Sequence, residues 1–408
     1  MPTRKATTTQ KATAKKGTST SLIFLIVIIV LGAIYMISGK DLLGIFATPT
    51  QITTPITSTS ILPTFTSIAP RITQPNASDG WEVYFTDPLN VKDPDNYAGS
   101  IEDVIIKKIN AAKTSIHIAS YEFDLTPVAE ALIAAHKRGV DVRWVTDDEA
   151  GLGADSDPGR GQFAMLQKAG IEVRSDDRGA LMHDKFWIFD GESLWTGSTN
   201  ITISGIFKQD NNVIVVHSPE VAAMYEREFQ EMWAGQFGPR SPSTVDQQST
   251  TVNGTPTQVL FASEDGVMDK IIARIQAAQS NIRFLNFSFF HAGLADAMVA
   301  RSQAGVDVAG VIEKVGSDSQ GAQMVTLLCA HVPVRQDGNP AFMHNKVIII
   351  DSRIVITGSL NFSVSADESN DENMIILDNA DIAKLYLQDF ERIWNQGTDP
   401  DSAKFPCK

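Results

Sequence analysis

The sequence predicts an α/β protein made of two tandem repeats, each a mixed β-sheet flanked by helices. The repeats are expected to pack about a pseudo-twofold axis behind an N-terminal transmembrane helix. Three observations predict this. One pattern, H-x-K-x4-D-x6-G-S-x-N, occurs twice with identical internal spacing. It comprises His183, Lys185, Asp190 and Gly197-Ser198-Thr199-Asn200, then His344, Lys346, Asp351 and Gly358-Ser359-Leu360-Asn361. Helical patterns alternate with short apolar strands in the same order in both halves. An uncharged apolar run stands behind a basic leader near the N-terminus.

The leader, residues 1–20, holds Arg4, Lys5, Lys11, Lys15 and Lys16 and no acid. Leu22 to Ile37 is apolar on every side, and Ser21, Ser38 and Gly39 extend it towards the length of a bilayer core. Residues 21–39 therefore read as a signal anchor, with a cleaved signal peptide as the competing reading. The long leader, and no small-x-small site directly after the run, favour the anchor. Basic residues stay on the cytoplasmic side, so the rest of the chain is expected outside the cytoplasm, as a single-pass membrane protein. Residues 40–80 form a Thr/Pro-rich tether that cannot build a core; Asn76-Ala77-Ser78 within it fits a glycosylation sequon. The formal charge is −14, and −19 once the five basic residues of the leader are set aside. Such a chain is a poor general binder of polyanions, which weighs against a processive nuclease.

A hydrophobic content of 43% is enough for two packed cores. Repeat 1 is expected over 81–235 and repeat 2 over 257–398, joined by a polar linker at 236–256 and followed by a tail at 399–408. Each repeat opens with a helix (IEDVIIKKINAA; MDKIIARIQAA) and a strand (SIHIASYEF; NIRFLNFSF). A second helix (PVAEALIAAHKRG; GLADAMVARSQAG) and a strand (VDVRWVTD; VDVAGVIE) follow. These segments match at an offset of 166 positions, whereas the histidines, Phe229/Phe390 and Trp233/Trp394 match at 161. Repeat 2 therefore lacks five residues of the Gly/Asp-rich loop that repeat 1 carries from Asp147. Strands KFWIF, SLWTG and NNVIVVH, with KVIII, RIVITG and NMIIL in repeat 2, precede a terminal helix in each. Trp233 and Trp394 are expected in the core. Cys329, in the apolar stretch MVTLLCA, reads as a buried free thiol, with pairing to Cys407 as the alternative that export allows.

His183 and Lys185 project from one face at the start of a strand, and so do His344 and Lys346. Asp190 and Asp351 lie an odd number of residues on, at or past the strand end, where holding neighbouring groups suits them. The Gly-Ser-x-Asn turn brings two polar side chains to the strand mouth. One copy alone makes a poor site. Two copies about a twofold axis bring two imidazoles and two ammonium groups to one phosphodiester: a nucleophile on one face, a general acid on the other, and donors around the non-bridging oxygens.

The two motifs, and the repeat across residues 81–398, resemble the phospholipase D (HKD) superfamily. The resemblance implies two phospholipase D-like repeats, a phosphohistidine intermediate, and neither metal nor cofactor. It implies a catalytic set of His183, Lys185, Asp190, His344, Lys346, Asp351 and Glu372. Phosphate binding falls to Lys185, Ser198, Asn200, Lys346, Ser359 and Asn361. In the family an acid after the second turn orients a histidine, often of the opposite copy; Glu372, eleven after Asn361, matches it. Repeat 1 has Asn211 there, with Asp210 beside it, and either could serve His344. Crosswise pairing makes His183 the nucleophile and His344 the general acid/base.

The resulting expectation is a membrane-anchored phosphodiesterase that hydrolyses or transfers phospholipid head groups, a monomer with intramolecular repeat pairing and no obligate protein partner. An endonuclease is the alternative, because IASYEFDLTPVAEALIAAHKRGVDVRWVTDD resembles the small bacterial HKD endonucleases. Cardiolipin-synthase-like transfer and an idle binding module complete the set. His117, His136, His217, His291 and His331 follow no shared pattern and read as structural or exposed. Asp147-Asp148 suggests a metal site only until repeat 2, with Glu313-Lys314, is compared.

Overall fold

Two β-sheets, one per repeat, organise the computed structural model, which describes residues 80–407. Repeat 1 runs β1 (Trp81–Phe85), α1 (Ile101–Ala111), β2 (Ser115–Ser120), α2 (Thr126–Lys137), β3 (Asp141–Thr146), α3 (Gln162–Lys168) and β4 (Glu172–Ser175). It continues with β5 (Lys185–Phe189), β6 (Ser193–Gly197), α4 (Ile203–Phe207), β7 (Asn212–His217) and α5 (Pro219–Trp233). Repeat 2 runs β8 (Ser249–Val252), β9 (Thr255–Ala262), α6 (Val267–Ala277), β10 (Asn281–Asn286), α7 (Ala292–Gln303), β11 (Asp307–Ile312), α8 (Met324–Cys329) and β12 (Val334–Gln336). It ends with β13 (Lys346–Ile350), β14 (Ile354–Gly358), α9 (Val364–Glu368), β15 (Glu372–Asp378) and α10 (Ala380–Gln396).

The sheet orders are β1-β7-β6-β5-β2-β3-β4 and β12-β11-β10-β13-β14-β15-β9-β8. In each, the strands reached through α2 or α7 are parallel (β2 with β3, β10 with β11). The strands after the histidine pair antiparallel. β5 and β13, the strands behind the motif, are buried at every position, which suits the all-apolar runs after Lys185 and Lys346. Ser218 and Asn379 cap the two long helices with their side chains, and Pro219 takes the first turn of α5. Apolar residues at helical spacing, Tyr225, Phe229 and Met232 on α5 and Tyr386, Phe390 and Ile393 on α10, then face one way.

Those faces meet. One core holds Phe186 and Ile188 of β5, Val347 and Ile349 of β13, and the buried side of α5 and α10. Two further cores lie under the remaining helices of each repeat. The expected strands and helices form, with β1, β4, β9 and β12 added at the sheet margins. The segment read as a polar linker contributes β8, whose Ser249–Val252 pairs with β9.

The thiol reading is corrected: Cys329 and Cys407 form a disulfide, with Cα atoms 5.4 Å apart. In α8 the buried residues are Met324 and Leu327, not Cys329, and Phe405 of the tail enters the repeat 2 core and brings Cys407 alongside. Among the described residues no helix is long and apolar enough to cross a membrane. The basic leader, the apolar run from Leu22 to Ile37 and the Thr/Pro tether lie outside the described residues.

Candidate active site

The short segments before β5 and β13 do not pair within their own repeat. Met182 bridges Asp371 in parallel, and Met343 bridges Asp210. His183 N–H donates to the Asp371 carbonyl at 2.9 Å and His344 N–H to the Asp210 carbonyl at 2.8 Å. Each histidine is thus stitched to the segment entering β15 or β7 of the other repeat. The crossing delivers Glu372 and Asn211. His183 Nδ1 lies 2.7 Å from Glu372 Oε2. His344 Nδ1 lies 3.0 Å from Asn211 Oδ1 and 3.1 Å from the Ser198 carbonyl. Asn211, not Asp210, orients His344; Asp210 is paired with Arg392. With Nδ1 committed as donor, each imidazole keeps its lone pair on Nε2.

The lysines fold beneath their histidines. Lys185 Nζ donates to the His183 carbonyl at 2.6 Å and Lys346 Nζ to the His344 carbonyl at 2.7 Å. Tyr121 packs its ring edge-on at 4.8 Å from the His183 ring, and Lys185 lies over it. Phe287 does the same for His344 at 4.7 Å, with Lys346 above.

All four groups are buried. Burial, then the two ammonium groups, hold both histidines well below their usual range, so they are neutral bases near pH 7. Burial also lowers Lys185 to about 8 and pulls Lys346 well down, Lys185 adding to the latter. Burial raises Glu372 to about 8 against the pull of Lys185. Each lysine is felt at both histidines, which puts the four groups around one small volume.

Not every candidate joins the site. Asp190 accepts from the backbone of Lys113, Thr114 and Ser115, and Asp351 from that of Gln279, Ser280 and Asn281. Both sit at the far ends of β5 and β13, opposite the lysines, where they hold the turns into β2 and β10. They thus stand apart from the four groups, although the resemblance counts them in the catalytic set. Ser198 and Ser359 are fully buried and bond β7 and β15: Ser198 Oγ donates to Asn211 Oδ1 and accepts from Asn212 N–H, and Ser359 Oγ accepts from Asn373 N–H. They brace the orienting residues rather than face a phosphate, because the glycine before each lets the chain close against the neighbouring strand. A Cβ on Gly197 or Gly358 would meet the Asn212 or Asn373 carbonyl. Asn200 Nδ2 donates to Glu122 Oε2 at 3.1 Å, and the Oδ1 atoms of Asn200 and Asn361 are buried with no partner among the described residues.

Several residues escaped the sequence reading. Asn373 gives Nδ2 to Asp184 Oδ1 at 2.7 Å and accepts from Thr196 Oγ1 and Tyr225 OH. Asn212 gives Nδ2 to Asn345 Oδ1 at 2.7 Å and accepts from Thr357 Oγ1 and Tyr386 OH. The middle residue of each His-x-Lys is thus tied to the opposite repeat. Asp147 and Glu313 accept from Met182 N–H and Met343 N–H, fixing the residue before each histidine. All of these pairs match at the 161 or 166 offset, which was the signal available. The carboxylates of Asp147, Asp148 and Asp176 also converge within 4.8 Å. Asp147 and Asp176 spend their oxygens on backbone N–H groups and on Arg178.

The chain is similar to known proteins. A family model described as "Cardiolipin synthase, PLD-like domain" matches residues 105–233 and 271–394. A mitochondrial cardiolipin hydrolase of Xenopus tropicalis is 35% identical over 141 residues, 35% of this chain and 67% of that protein. A phospholipase D of Rickettsia prowazekii is 32% identical over 130 residues, 32% of this chain and 63% of its own length. The human cardiolipin hydrolase is matched over 57% of its length. The crystal structure of phosphatidylserine synthase from Haemophilus influenzae is similar in fold, with a TM-score of 0.55 at 14% identity over 81% of this chain and 87% of that one.

Proposed function

The chain belongs to the phospholipase D-like family, and from that premise we propose that it is a phosphodiesterase cleaving phospholipid head groups through a phosphohistidine on His183. The observation that carries the assignment is the unequal support of the two imidazoles, an ionisable carboxyl on His183 and an amide on His344. His183 Nε2 attacks phosphorus, the P–N bond forms, and the ring becomes cationic; Glu372 on Nδ1 offsets that charge. The P–O bond to the head-group alcohol breaks as His344 gives its proton to the leaving oxygen. Water then attacks from the vacated side, His344 takes its proton back, and the P–N bond breaks. An alcohol in place of water makes the reaction a transfer. His344 takes that proton up from solvent as the substrate binds, because the anionic phosphate offsets Lys185 and Lys346. These lysines and Asn361 receive the charge that builds on the non-bridging oxygens.

Lipid as substrate is supported by the net charge of −14 and by the aromatic wall of Phe287 and Phe342 beside His344. The names of the relatives point the same way. Location outside the cytoplasm, on an N-terminal anchor, is supported by the Cys329–Cys407 disulfide together with the basic leader and apolar run. A core shared by both repeats supports a monomer with an intramolecular site.

The test is turnover by the full chain, in the presence of a chelator, of phosphatidylcholine, cardiolipin and single-stranded DNA. Head-group release is expected from lipid. Cleavage of DNA with no lipid turnover would replace the substrate, and activity lost to chelator and restored by a divalent ion would replace the mechanism. Protease added to intact cells should release a fragment that begins within residues 40–80.

A further inference from the structure

The two halves of the cleft differ one residue beyond the ring that packs on each histidine: repeat 1 has Glu122 and repeat 2 has Ser288. Glu122 Oε2 accepts from Asn200 Nδ2 at 3.1 Å. Arg160, from the loop that is longer in repeat 1, brings Nη2 only to 4.0 Å from Glu122 Oε1, and its Nη1 is buried without an acceptor. Across the cleft, Ser288 offers no carboxylate, and Asn361 Oδ1 is buried with no partner among the described residues. Asn200 Oδ1 is equally unpartnered, so the two motif asparagines differ at Nδ2, which donates to an acid in repeat 1. The Glu122 side chain keeps 30% of its surface exposed, so it opens at the rim rather than closing into the core.

Resting on the reading of the protein as a phospholipid phosphodiesterase, we propose that Glu122 determines its specificity, its carboxylate receiving the ammonium of a zwitterionic phospholipid head group. Glu122 lies close enough to Lys185 for each to feel the other's charge. The pair sets a positive and a negative group within reach of each other's charge, the polarity that a phosphate carrying an ammonium complements. Burial raises the Glu122 carboxyl above its ordinary range, and Arg160 and Lys185 offset only part of that. An ammonium beside it supplies the missing positive charge, whereas an anionic head group or a polynucleotide brings a further negative one.

The test compares the wild-type full chain with Glu122→Gln, which keeps the shape, and Glu122→Ser, which installs the residue of repeat 2. Substrates are phosphatidylethanolamine and phosphatidylglycerol in otherwise identical vesicles. The ratio of kcat/KM for the first over the second is expected to fall by about tenfold or more in both variants, mainly through KM, the worth of one charge-assisted contact. A ratio unchanged from wild type in active variants overturns the proposal. If the wild type turns over no diester, the proposed function fails and the role of Glu122 is read from binding instead. Calorimetry with glycerophosphoethanolamine and glycerophosphoglycerol then decides. A wild-type preference for the former that Glu122→Gln abolishes supports the proposal, and equal affinities in the wild type overturn it.

Discussion

At the scale of single residues, the site is a pair of similar imidazoles made unequal by the group that holds each: a carboxyl, Glu372, on one and an amide, Asn211, on the other. Replacing either His183 or His344 with Ala removes a partner acting on the same phosphorus, so each should lower turnover by about 10³-fold or more without unfolding the chain. The inequality makes a sharper prediction. In His344→Ala, a substrate whose leaving group needs no proton should still phosphorylate His183, and the adduct should persist because water lacks its base. Acid-quenched mass spectrometry locates it, and an adduct on His344 in the wild type with none on His183 would reverse the roles. Lys185 gives the pH dependence. Its ammonium, lowered to about 8 by burial, is present below that value and lost above it. The profile of kcat/KM should therefore carry a limb that falls as pH rises through about 8, set against the ionisation of Glu372 in the same range, and Lys185→Arg, which stays charged, should lose that falling limb while losing rate.

Between elements, what holds the site is the crossing of the two repeats. Asn373 and Asn212 each satisfy three buried side chains of the opposite repeat. Asn373→Ala strands Asp184, Thr196 and Tyr225 and should cost about 3 kcal/mol, since each lost partner leaves a buried polar group dry. Urea unfolding checks this, and a variant as stable as wild type would mean the network contributes nothing. This level was half legible in the chain. The H-x-K strands, their apolar continuations and the terminal helices follow from local periodicity, and Glu372 from its spacing after Asn361. Local periodicity says nothing about which repeat a buried asparagine will face. Nor does it reveal that Ser198 and Ser359 turn inward, because that depends on how closely Gly197 and Gly358 let the next strand approach. The disulfide was hidden for a similar reason: Phe405, not the cysteines, decides where the tail goes. Closing a link over a separation of 78 residues should stabilise the fold by about 4 kcal/mol in the loop-entropy account, so reductant should lower the unfolding midpoint measurably.

Over the whole molecule, acidity is not confined to the surface. Glu102 is buried with neither carboxyl oxygen partnered, and burial raises it to about 7. Glu264, raised to about 8 by burial and Asp265, faces the buried Glu228; Glu313, raised to about 8, faces Asp337. Each of these groups binds its proton more tightly folded than unfolded, where a glutamate titrates near 4.5. The folded state therefore carries extra protons between the two values, and stability falls as pH rises through that interval. Carboxyls held down by partners act oppositely: Glu82, lowered to about 2 despite burial by His217, Tyr84 and Lys108, contributes stability that disappears only in strong acid. The thermal midpoint should accordingly be higher near pH 6 than near pH 8.5. Glu102→Gln gives the decisive comparison, because the amide fills the same space without a proton to lose. Its midpoint should fall less between the two pH values than that of the wild type. Equal falls in both proteins would show that Glu102 already sits ionised in the fold, and the alkaline loss would then belong to the other raised carboxyls, among them Glu372 and the Glu228–Glu264 and Glu313–Asp337 pairs.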